Sequence, residues 1–213
     1  FNFAFDAIRC KFKPTEETLQ LCEESGTDLA QLVLKKSKQM KKAESKRVQA
    51  ETFASVTETE AAVGRIIGSL CAVTAKNGDA QSAMLASWVS QASFNPPSIT
   101  VAVAKDRAVE SFMLPGGNFN LNILKLGNEK ETMKALLKGF APGEDRFGDM
   151  KVSYSENNEC AIVTDALAYC ECAVKSRMEC GDHWVVLAEV TGGKLLDEEG
   201  KSAMHHRKTG KSY

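Results

Sequence analysis

The sequence lacks the features of several large protein classes. It contains no Cys-x-x-Cys pair and only three histidines, two of them adjacent, so a zinc or iron site is not expected. A net charge of −1 gives no electrostatic reason to expect nucleic acid or a membrane surface as the main partner. No apolar run is long enough for a membrane span, and no secretory signal is visible. Hydrophobic residues make up 43% of the chain, which is enough to form a packed core.

Glycine-rich phosphate loops of the Rossmann and P-loop types are also absent, so any nucleotide must be held in another way. The seven cysteines are odd in number, in a chain of 213 residues, and this predicts a reducing compartment rather than disulfides. Most of them are expected to be buried thiols. Cys170, Cys172 and Cys180 are the candidates for redox regulation.

The first part of the chain predicts a fragment of another domain. Residues 1–12 are typical of a strand, and Pro14-Thr15-Glu16-Glu17 predicts the start of a helix with a hydroxyl cap. One strand and one helix cannot form a domain, so residues 1–34 are interpreted as the last βα unit of a preceding one. Residues 35–56 follow as a linker. Its seven basic residues between Lys35 and Arg47 predict a solvated segment, with docking of an acidic partner as the alternative.

Residues 57–213 have the pattern of a mainly β domain. The predicted strands are residues 66–75, 80–94 (one strand or two), 98–104, 119–124, 161–174 (with a possible interruption) and 184–190, with turns at 76–79, 96–97 and 191–193. Short helices are predicted from about residue 106 to 113 and over 129–137. Because the strands do not alternate regularly with helices, the pattern favours an antiparallel barrel with helical insertions.

The segment Met84–Pro97 is rich in alanine and serine and ends at two prolines. Small side chains let a planar ligand approach the backbone, and hydroxyls and peptide N–H groups can bind phosphate or ring carbonyls. The segment is therefore either one wall of a cofactor site or an ordinary strand with a small-residue face. Trp88, in its middle, could stack near a cofactor or pack in the core.

Three other motifs could bind or react with a ligand. Lys105-Asp106-Arg107 places two cations at a strand end, where they suit an anion, although a solvated turn is the alternative. Gly181-Asp182-His183 puts a histidine at the start of a strand, in either a structural or a ring-contacting role. The basic tail that begins at Met204 and contains His205, His206 and Arg207 would usually be frayed.

Taken in order, these motifs resemble the flavin reductase family with its FMN-binding split barrel. The resemblance covers residues 57–213. It depends on the strand from Gly68 to Thr74, the Ala/Ser segment, the Lys-Asp-Arg and Gly-Asp-His motifs, Asn122 within Phe119–Leu124, and the His206-Arg207-Lys208 ending. It implies FMN as cofactor and hydride transfer from NAD(P)H, from nicotinamide C4 to flavin N5.

The resemblance also implies a set of site residues. FMN would be contacted by Leu85, Ala86, Ser87, Ser90, Gln91, Ala92 and Asn122, with Lys105 and Arg107 near its phosphate. His183, as the catalytic residue, and His206 and Arg207 would lie on the nicotinamide side. Leu85 and Gln91 replace residues that carry hydroxyls in many flavin reductases, which predicts altered FMN affinity.

The whole chain is closer still to the C-terminal part of diflavin flavodiiron proteins of oxygenic phototrophs. That resemblance implies flavodoxin-like and diiron domains upstream in the same polypeptide. Electrons would pass from NAD(P)H or a ferredoxin-like donor to the flavodoxin-like FMN and the diiron centre, where O₂ becomes water. It also implies that the protein is located in the chloroplast stroma or the cyanobacterial cytoplasm. The same resemblance implies that it forms a homo-oligomer, or a hetero-oligomer with a related flavodiiron protein. The alternatives are an FMN-poor module for assembly or regulation, and a heme- or pyridoxine-related split barrel.

Overall fold

The structure is a computed structural model that describes residues 15, 16, 18, 19, 22, 33, 56–137, 145–148 and 150–210. It divides into two units, Phe1–Glu60 and Ala61–Tyr213. The predicted strand over residues 1–12 and the basic segment from Lys35 to Arg47 lie outside the described residues.

Hydroxyl groups cap the helical segments that are described before residue 64. Glu16, Thr18 and Leu19 are helical, and the Thr18 amide donates to Thr15 Oγ1 at 3.3 Å, as expected for a cap at Thr15. A second helix, α1 (Glu58–Val63), starts with a capping box. The Glu60 amide donates to Thr57 Oγ1 (3.2 Å), and the Thr57 amide donates to the Glu60 carboxylate (2.8 Å).

The second unit is built on strands, as predicted. A seven-stranded antiparallel sheet has the order β3-β2-β6-β9-β10-β5-β4, and two-stranded pairs form from β1 with β11 and from β7 with β8. The strands are β1 (Gly68–Ser69), β2 (Cys71–Asn77), β3 (Ala80–Ala86), β4 (Val89–Phe94), β5 (Pro97–Ala104), β6 (Asn118–Ile123), β7 (Val152–Tyr154), β8 (Ala161–Val163), β9 (Ala168–Cys180), β10 (His183–Leu195) and β11 (Met204–His205). A 3₁₀-helix (Ala108–Phe112) and α2 (Glu129–Leu136) are inserted between them.

The sheet is rolled up, because its two edge strands are joined by only two residues. β3 and β4 lie at opposite ends of the strand order, and Ser87-Trp88 is the whole connection between them. Consecutive Cα atoms are about 3.8 Å apart, so Ala86 and Val89 lie within about 11 Å of each other. The edges must therefore meet, and the sheet forms an antiparallel barrel that is split at Ser87-Trp88.

The main core fills the inside of this barrel. Alternate residues of β5, namely Ile99, Val101 and Val103, are buried as their spacing predicted. They pack with Phe119 and Val186 from neighbouring strands. The interior of the barrel is therefore a packed core, and a ligand must bind at the split or on the outside.

A polar row holds β8 against the outside of the barrel. Thr74 donates to the Ala161 carbonyl (2.5 Å), and Asn120 donates to that of Cys160 (3.0 Å). Asn122 donates to the Ala72 carbonyl (3.2 Å) and accepts from the Val163 amide (2.8 Å). Thr74 and both asparagines are fully buried, so this row is an internal, saturated network.

One predicted turn is wrong. Residues 191–193 do not turn the chain, because β10 continues through them to Leu195 with a register shift between Val190 and Gly192. The lack of a side chain at Gly192 leaves room for the buried Glu171 carboxylate, which a Cβ there would overlap. The actual turn between β9 and β10 is at Gly181, where φ is 61°. The glycine pair therefore marks a bulge.

The basic tail is not frayed over the residues that the structure describes. β11 pairs with β1, the Ala203 amide donates to the Leu124 carbonyl (2.8 Å), and Arg207 and Thr209 are buried. Gly64 packs against the backbone of Thr209 so closely that a Cβ would have no space. Among the helices described, none is both long enough and apolar enough to cross a membrane.

Candidate functional site

Two cavities flank the split in the barrel, and Ser87 lines both. The first has a volume of about 460 Å³. It is bounded by the end of β3, the strand end and turn before the 3₁₀-helix, α2 and the tail. Its lining residues are Leu70, Ala83, Met84, Leu85, Ala86, Ser87, Ala104, Asp106, Arg107, Ala108, Val109, Met133, Leu136, Leu137, Arg146 and His205.

Polar groups in the first cavity converge near Ser87. The Ser87 hydroxyl lies 3.3 Å from Nδ1 of His205, and the pairing of His205 with Gly68 fixes the backbone of that histidine. A Cβ at Gly68 would overlap the carbonyl oxygen of Ser87, so only glycine permits this approach. Burial, and then the positive charges of Arg207 and His206, lower the pKa of His205. A neutral imidazole is thus favoured in the cavity wall.

The charged groups of the first cavity are mainly cationic. Arg107 and Arg146 line it with one carboxylate, Asp106, which lies 3.8 Å from the Arg107 guanidinium. Lys105 does not line it. Its ammonium pairs with Glu179 and lies 5.1 Å from the centre of the Trp184 ring. The two cations of the Lys-Asp-Arg motif therefore point to different places.

The second cavity, of about 520 Å³, lies on the other side of Ser87. Its lining is mostly apolar, with three hydroxyl groups and one guanidinium. The lining residues are Val63, Ile66, Ile67, Gly68, Ser87, Trp88, Val89, Ser90, Thr100, Ala102, Val185 and Arg207.

Trp88 joins the two motifs that were predicted to face the nicotinamide. Its ring centroid is 4.8 Å from that of His183, with the planes tilted by 40°, and the Arg207 guanidinium carbon lies 4.8 Å from the Trp88 ring centroid. Nδ1 of His183 is also 2.7 Å from the carboxylate of Asp182. His183 and Arg207 are thus brought together through a tryptophan whose role the sequence left open.

Apart from Lys105 and His183, which line neither cavity, the predicted site residues divide into three groups. Leu85, Ala86, Ser87 and Arg107 line the first cavity, and Ser90 and Arg207 line the second. Gln91, Ala92 and His206 are exposed, and none of them is among the residues that line either cavity. Asn122 faces the polar row against β8, so its amide serves internal hydrogen bonds.

Sequence reasoning missed three residues of the site, namely Arg146, His205 and Gly68. His205 faces the first cavity, whereas its neighbour His206 was proposed. Gly68 was seen only as part of a strand, although it abuts Ser87. The period of two residues along β11 could have separated His205 from His206, but a two-residue strand is too short to be recognised from its pattern.

The thiols described by the structure are mostly unreactive. Burial raises the pKa of Cys71 to about 12 and raises the pKa values of Cys160, Cys170 and Cys172. Of the six thiols that the structure describes, Cys71, Cys160 and Cys172 are buried, Cys170 is half-buried and Cys22 is exposed. The prediction that most thiols are buried therefore holds for half of them, and the case for redox regulation through Cys170 or Cys172 is weakened. Cys180 is exposed. Within the described ranges, no group of three or more histidine, cysteine or acidic side chains could hold a metal ion.

Known proteins resemble this chain over its whole length. A diflavin flavoprotein A homologue from Nostoc sp. is 54% identical over 213 residues, 100% of this chain and 35% of the homologue. Diflavin flavoprotein A 1 of Synechocystis sp. is 52% identical and covers 99% of this chain, which again matches 35% of that protein. The chain therefore spans about a third of the length of these relatives.

Solved structures share the fold. The NADH:FAD oxidoreductase SgcE6 of Streptomyces globisporus has a TM-score of 0.63 at 23% identity, covering 70% of this chain and 87% of its own. BorF, the flavin reductase component of a bacterial two-component tryptophan halogenase, has a TM-score of 0.61 at 21% identity, covering 71% and 92%. At this level of identity, both show the architecture alone.

A family model extends the match from architecture to sequence. The model described as "Flavin reductase like domain" matches residues 63–212. That range contains both cavities and every element of the rolled sheet. The chain therefore belongs to the flavin reductase-like domain family and is a flavin-dependent oxidoreductase module.

Proposed function

We propose that this module binds FMN in the first cavity and uses it to take up electrons from NAD(P)H. The observation that carries the proposal is the first cavity itself, with an apolar wall, a Ser87–His205 pair and two guanidinium groups around about 460 Å³. Cofactor sites commonly have volumes of about 300–1,000 Å³ and combine apolar walls with a few polar groups.

The lining residues fit the chemistry of FMN. Leu70, Met84, Leu85 and Val109 offer an apolar surface to a planar ring. The guanidinium groups of Arg107 and Arg146 suit a phosphate. Leu85 supplies an apolar contact where many flavin reductases have a hydroxyl, and Gln91 is exposed and lines neither cavity. The residues at these two positions therefore take no polar group away from the set that lines the first cavity.

The chain's own residues hold and orient the reactants. When bound, FMN supplies the capacity to accept a hydride from the nicotinamide. Ser87 and His205 present a hydroxyl and a neutral imidazole to the cavity, which can exchange hydrogen bonds with a polar ring edge. Asp182 holds His183 through Nδ1, and His183 in turn supports Trp88 beside the split. By positioning the flavin and the nicotinamide, these groups would contribute to catalysis.

We further propose that the module works within a longer polypeptide. Its electrons would pass to a flavodoxin-like FMN and a diiron centre that reduces O₂ to water. The support is the similarity to diflavin flavoproteins, of which this chain matches about a third. Residues 1–34 would then close the flavodoxin-like domain, and residues 35–56 would link it to the reductase module.

The proposed FMN site is tested by adding FMN to the purified chain and reducing it anaerobically with NADH or NADPH. We expect a yellow complex whose visible absorbance is bleached by the donor. Arg107→Met should weaken FMN binding about tenfold, as expected for loss of one charge-assisted hydrogen bond. Flavin fluorescence quenching measures the dissociation constant.

Lys105→Met provides the matched control, because Lys105 lies at the same strand end but pairs with Glu179. It should leave FMN affinity within about twofold of wild type, since its exposed ion pair is worth little. A chain that cannot be loaded with FMN would refute the proposed function. Equal losses in both variants would refute this assignment of the phosphate cation.

A pH dependence of stability follows from His205. Its folded-state pKa is lowered, so the unfolded chain binds a proton more readily as pH falls below about 6.5. The stability associated with the neutral imidazole is present above that pH and declines below it. His205→Gln should therefore reduce the loss of unfolding free energy between pH 7.5 and 5.5, measured by urea denaturation. Met204→Gln, at the exposed neighbouring position, should keep the wild-type slope, and a wild-type slope in His205→Gln would contradict the prediction.

A further inference from the structure

Arg177 forms an ion pair that lies next to the first cavity without lining it. Its Nη1 donates to Oε1 of Glu110 at 2.6 Å, and the two side chains are only 22% and 24% exposed. Glu110 belongs to the 3₁₀-helix, which also brings Val109 to the first cavity. Charge-assisted hydrogen bonds are strong, and partial burial protects them from screening by salt. The pair therefore connects β9 firmly to the helix that bounds the proposed cofactor site.

Trp184 holds the guanidinium of Arg177 in place. The guanidinium carbon lies 4.1 Å from the centre of the Trp184 ring, which is within the range of a cation–π contact. Trp184 packs against the main core and pairs through the sheet with Val103 of β5 and Glu179 of β9. Arg177 is thus fixed by a ring and a carboxylate at the same time, and its position depends on the packed core of the barrel.

Glu110 lies one helical turn from Arg107, the cation proposed for the FMN phosphate. The Glu110 amide donates to the Arg107 carbonyl at 2.9 Å, and residues three apart in a 3₁₀-helix lie on the same side of it. Arg107 is itself only weakly paired, because the Asp106 carboxylate is 3.8 Å away and 83% exposed. If Glu110 lost Arg177, its carboxylate would compete with a phosphate for the Arg107 guanidinium.

We propose that Arg177 is a positioning residue for the flavin phosphate, because it occupies Glu110 and so leaves Arg107 available to the first cavity. The helix has separate anchors, since Val109 and Met113 are buried in the main core. Arg177 therefore acts through the charge of Glu110 and not through the folding of the helix. This inference rests on the proposed function, in which Arg107 binds the phosphate of FMN. It predicts that the preference for FMN over riboflavin, which lacks the phosphate, depends on Arg177.

Parallel fluorescence titrations with FMN and with riboflavin measure this preference. Wild type should bind FMN more tightly than riboflavin. Arg177→Met should weaken FMN binding about fivefold, the size of one partly exposed ion pair, and should change riboflavin binding by less than about twofold. Adding Glu110→Gln to Arg177→Met should restore FMN affinity to within about twofold of wild type, because no carboxylate then competes for Arg107. In an Arg107→Met background, Arg177→Met should have no further effect on FMN affinity.

Lys175→Met is the matched control, since Lys175 lies two residues before Arg177 on β9 and pairs with Glu189 instead. It removes a cation from the same strand and should leave the preference for FMN within about twofold of wild type. Arg177→Lys keeps a positive charge beside Glu110 and should retain most of the preference, even if the methionine variant folds poorly. A preference in Arg177→Lys as low as that in Arg107→Met would overturn the inference.

A purely structural role for Arg177 predicts a different pattern. Loss of the ring contact and the ion pair would then weaken the binding of FMN and riboflavin alike, and the double variant would bind FMN no better than Arg177→Met. Either result, in variants shown by circular dichroism to be folded, would overturn the inference. So would a wild-type chain that binds riboflavin as tightly as FMN. Failure of the chain to take up either flavin is a distinct result, because it would refute the proposed function itself and the inference with it.

Discussion

Replacing Gly68 with alanine is expected to lower the free energy of unfolding by about 3 kcal/mol and to abolish flavin binding. The added Cβ would overlap the carbonyl oxygen of Ser87. Gly68 is held by its pairing with His205, and Ser87 lies in the two-residue connection between the paired residues Ala86 and Val89, so neither can move aside alone. β1 and the junction after β3 would have to separate, which changes the shape of both cavities. Urea denaturation and FMN titration measure the two effects.

Gly78→Ala is the control for this variant. Gly78 has open space around its missing Cβ, but its φ of 58° lies in the left-handed region. Its cost should be only that of placing alanine in this conformation, about 1–2 kcal/mol, with FMN affinity unchanged. If Gly68→Ala were as mild as Gly78→Ala, the close approach of β1 to Ser87 would be wrong.

Asn122→Ala is expected to destabilise the domain by about 3 kcal/mol without changing the FMN affinity of the folded molecules. The substitution leaves the buried Val163 amide without its acceptor and removes the donor to the Ala72 carbonyl. Each buried polar group left unpaired costs about 1–3 kcal/mol. Asn118→Ala, at an exposed position on the same strand, should change stability by less than about 0.5 kcal/mol.

The same variant decides between two roles for Asn122. The family resemblance placed it at the cofactor, whereas its hydrogen bonds place it between β6 and β8. An FMN dissociation constant that rises tenfold in a well-folded Asn122→Ala protein would restore the cofactor role. Measuring affinity at a temperature at which the variant is fully folded keeps the two effects separate.

Local patterns in the sequence predicted most strands. The alternation of Ile99, Val101 and Val103 and the Asn77-Gly78 turn signal were sufficient for β5 and for the β2–β3 hairpin, because period and turn chemistry are local properties. Gly192-Gly193 was misread for the complementary reason. A Cβ at Gly192 would overlap the carboxylate of Glu171, which lies twenty-one residues earlier in the sequence. No local pattern predicts that contact.

The candidate site was predicted where short local motifs supply its residues. Leu85, Ala86 and Ser87 are consecutive, and they line the first cavity as the Ala/Ser segment indicated. His205 and Gly68 come together with Ser87 only because β11 returns to β1, a pairing between segments more than 130 residues apart. Tertiary pairing of this kind decides which of two adjacent histidines faces the cavity.

The return of β11 to β1 has a consequence for the order of assembly during synthesis. The Leu70 amide donates to the Ala203 carbonyl, and the Ala203 amide donates to the Leu124 carbonyl. β11, the last strand that the structure describes, therefore pairs with β1, the first one. A nascent chain that has emerged only as far as β10 has every strand of the sheet but neither His205 nor Arg207. In the proposed function, cofactor loading would therefore follow the emergence of residues 204–207 from the ribosome, and until then the apolar residues beside Ser87 stay uncovered by this segment.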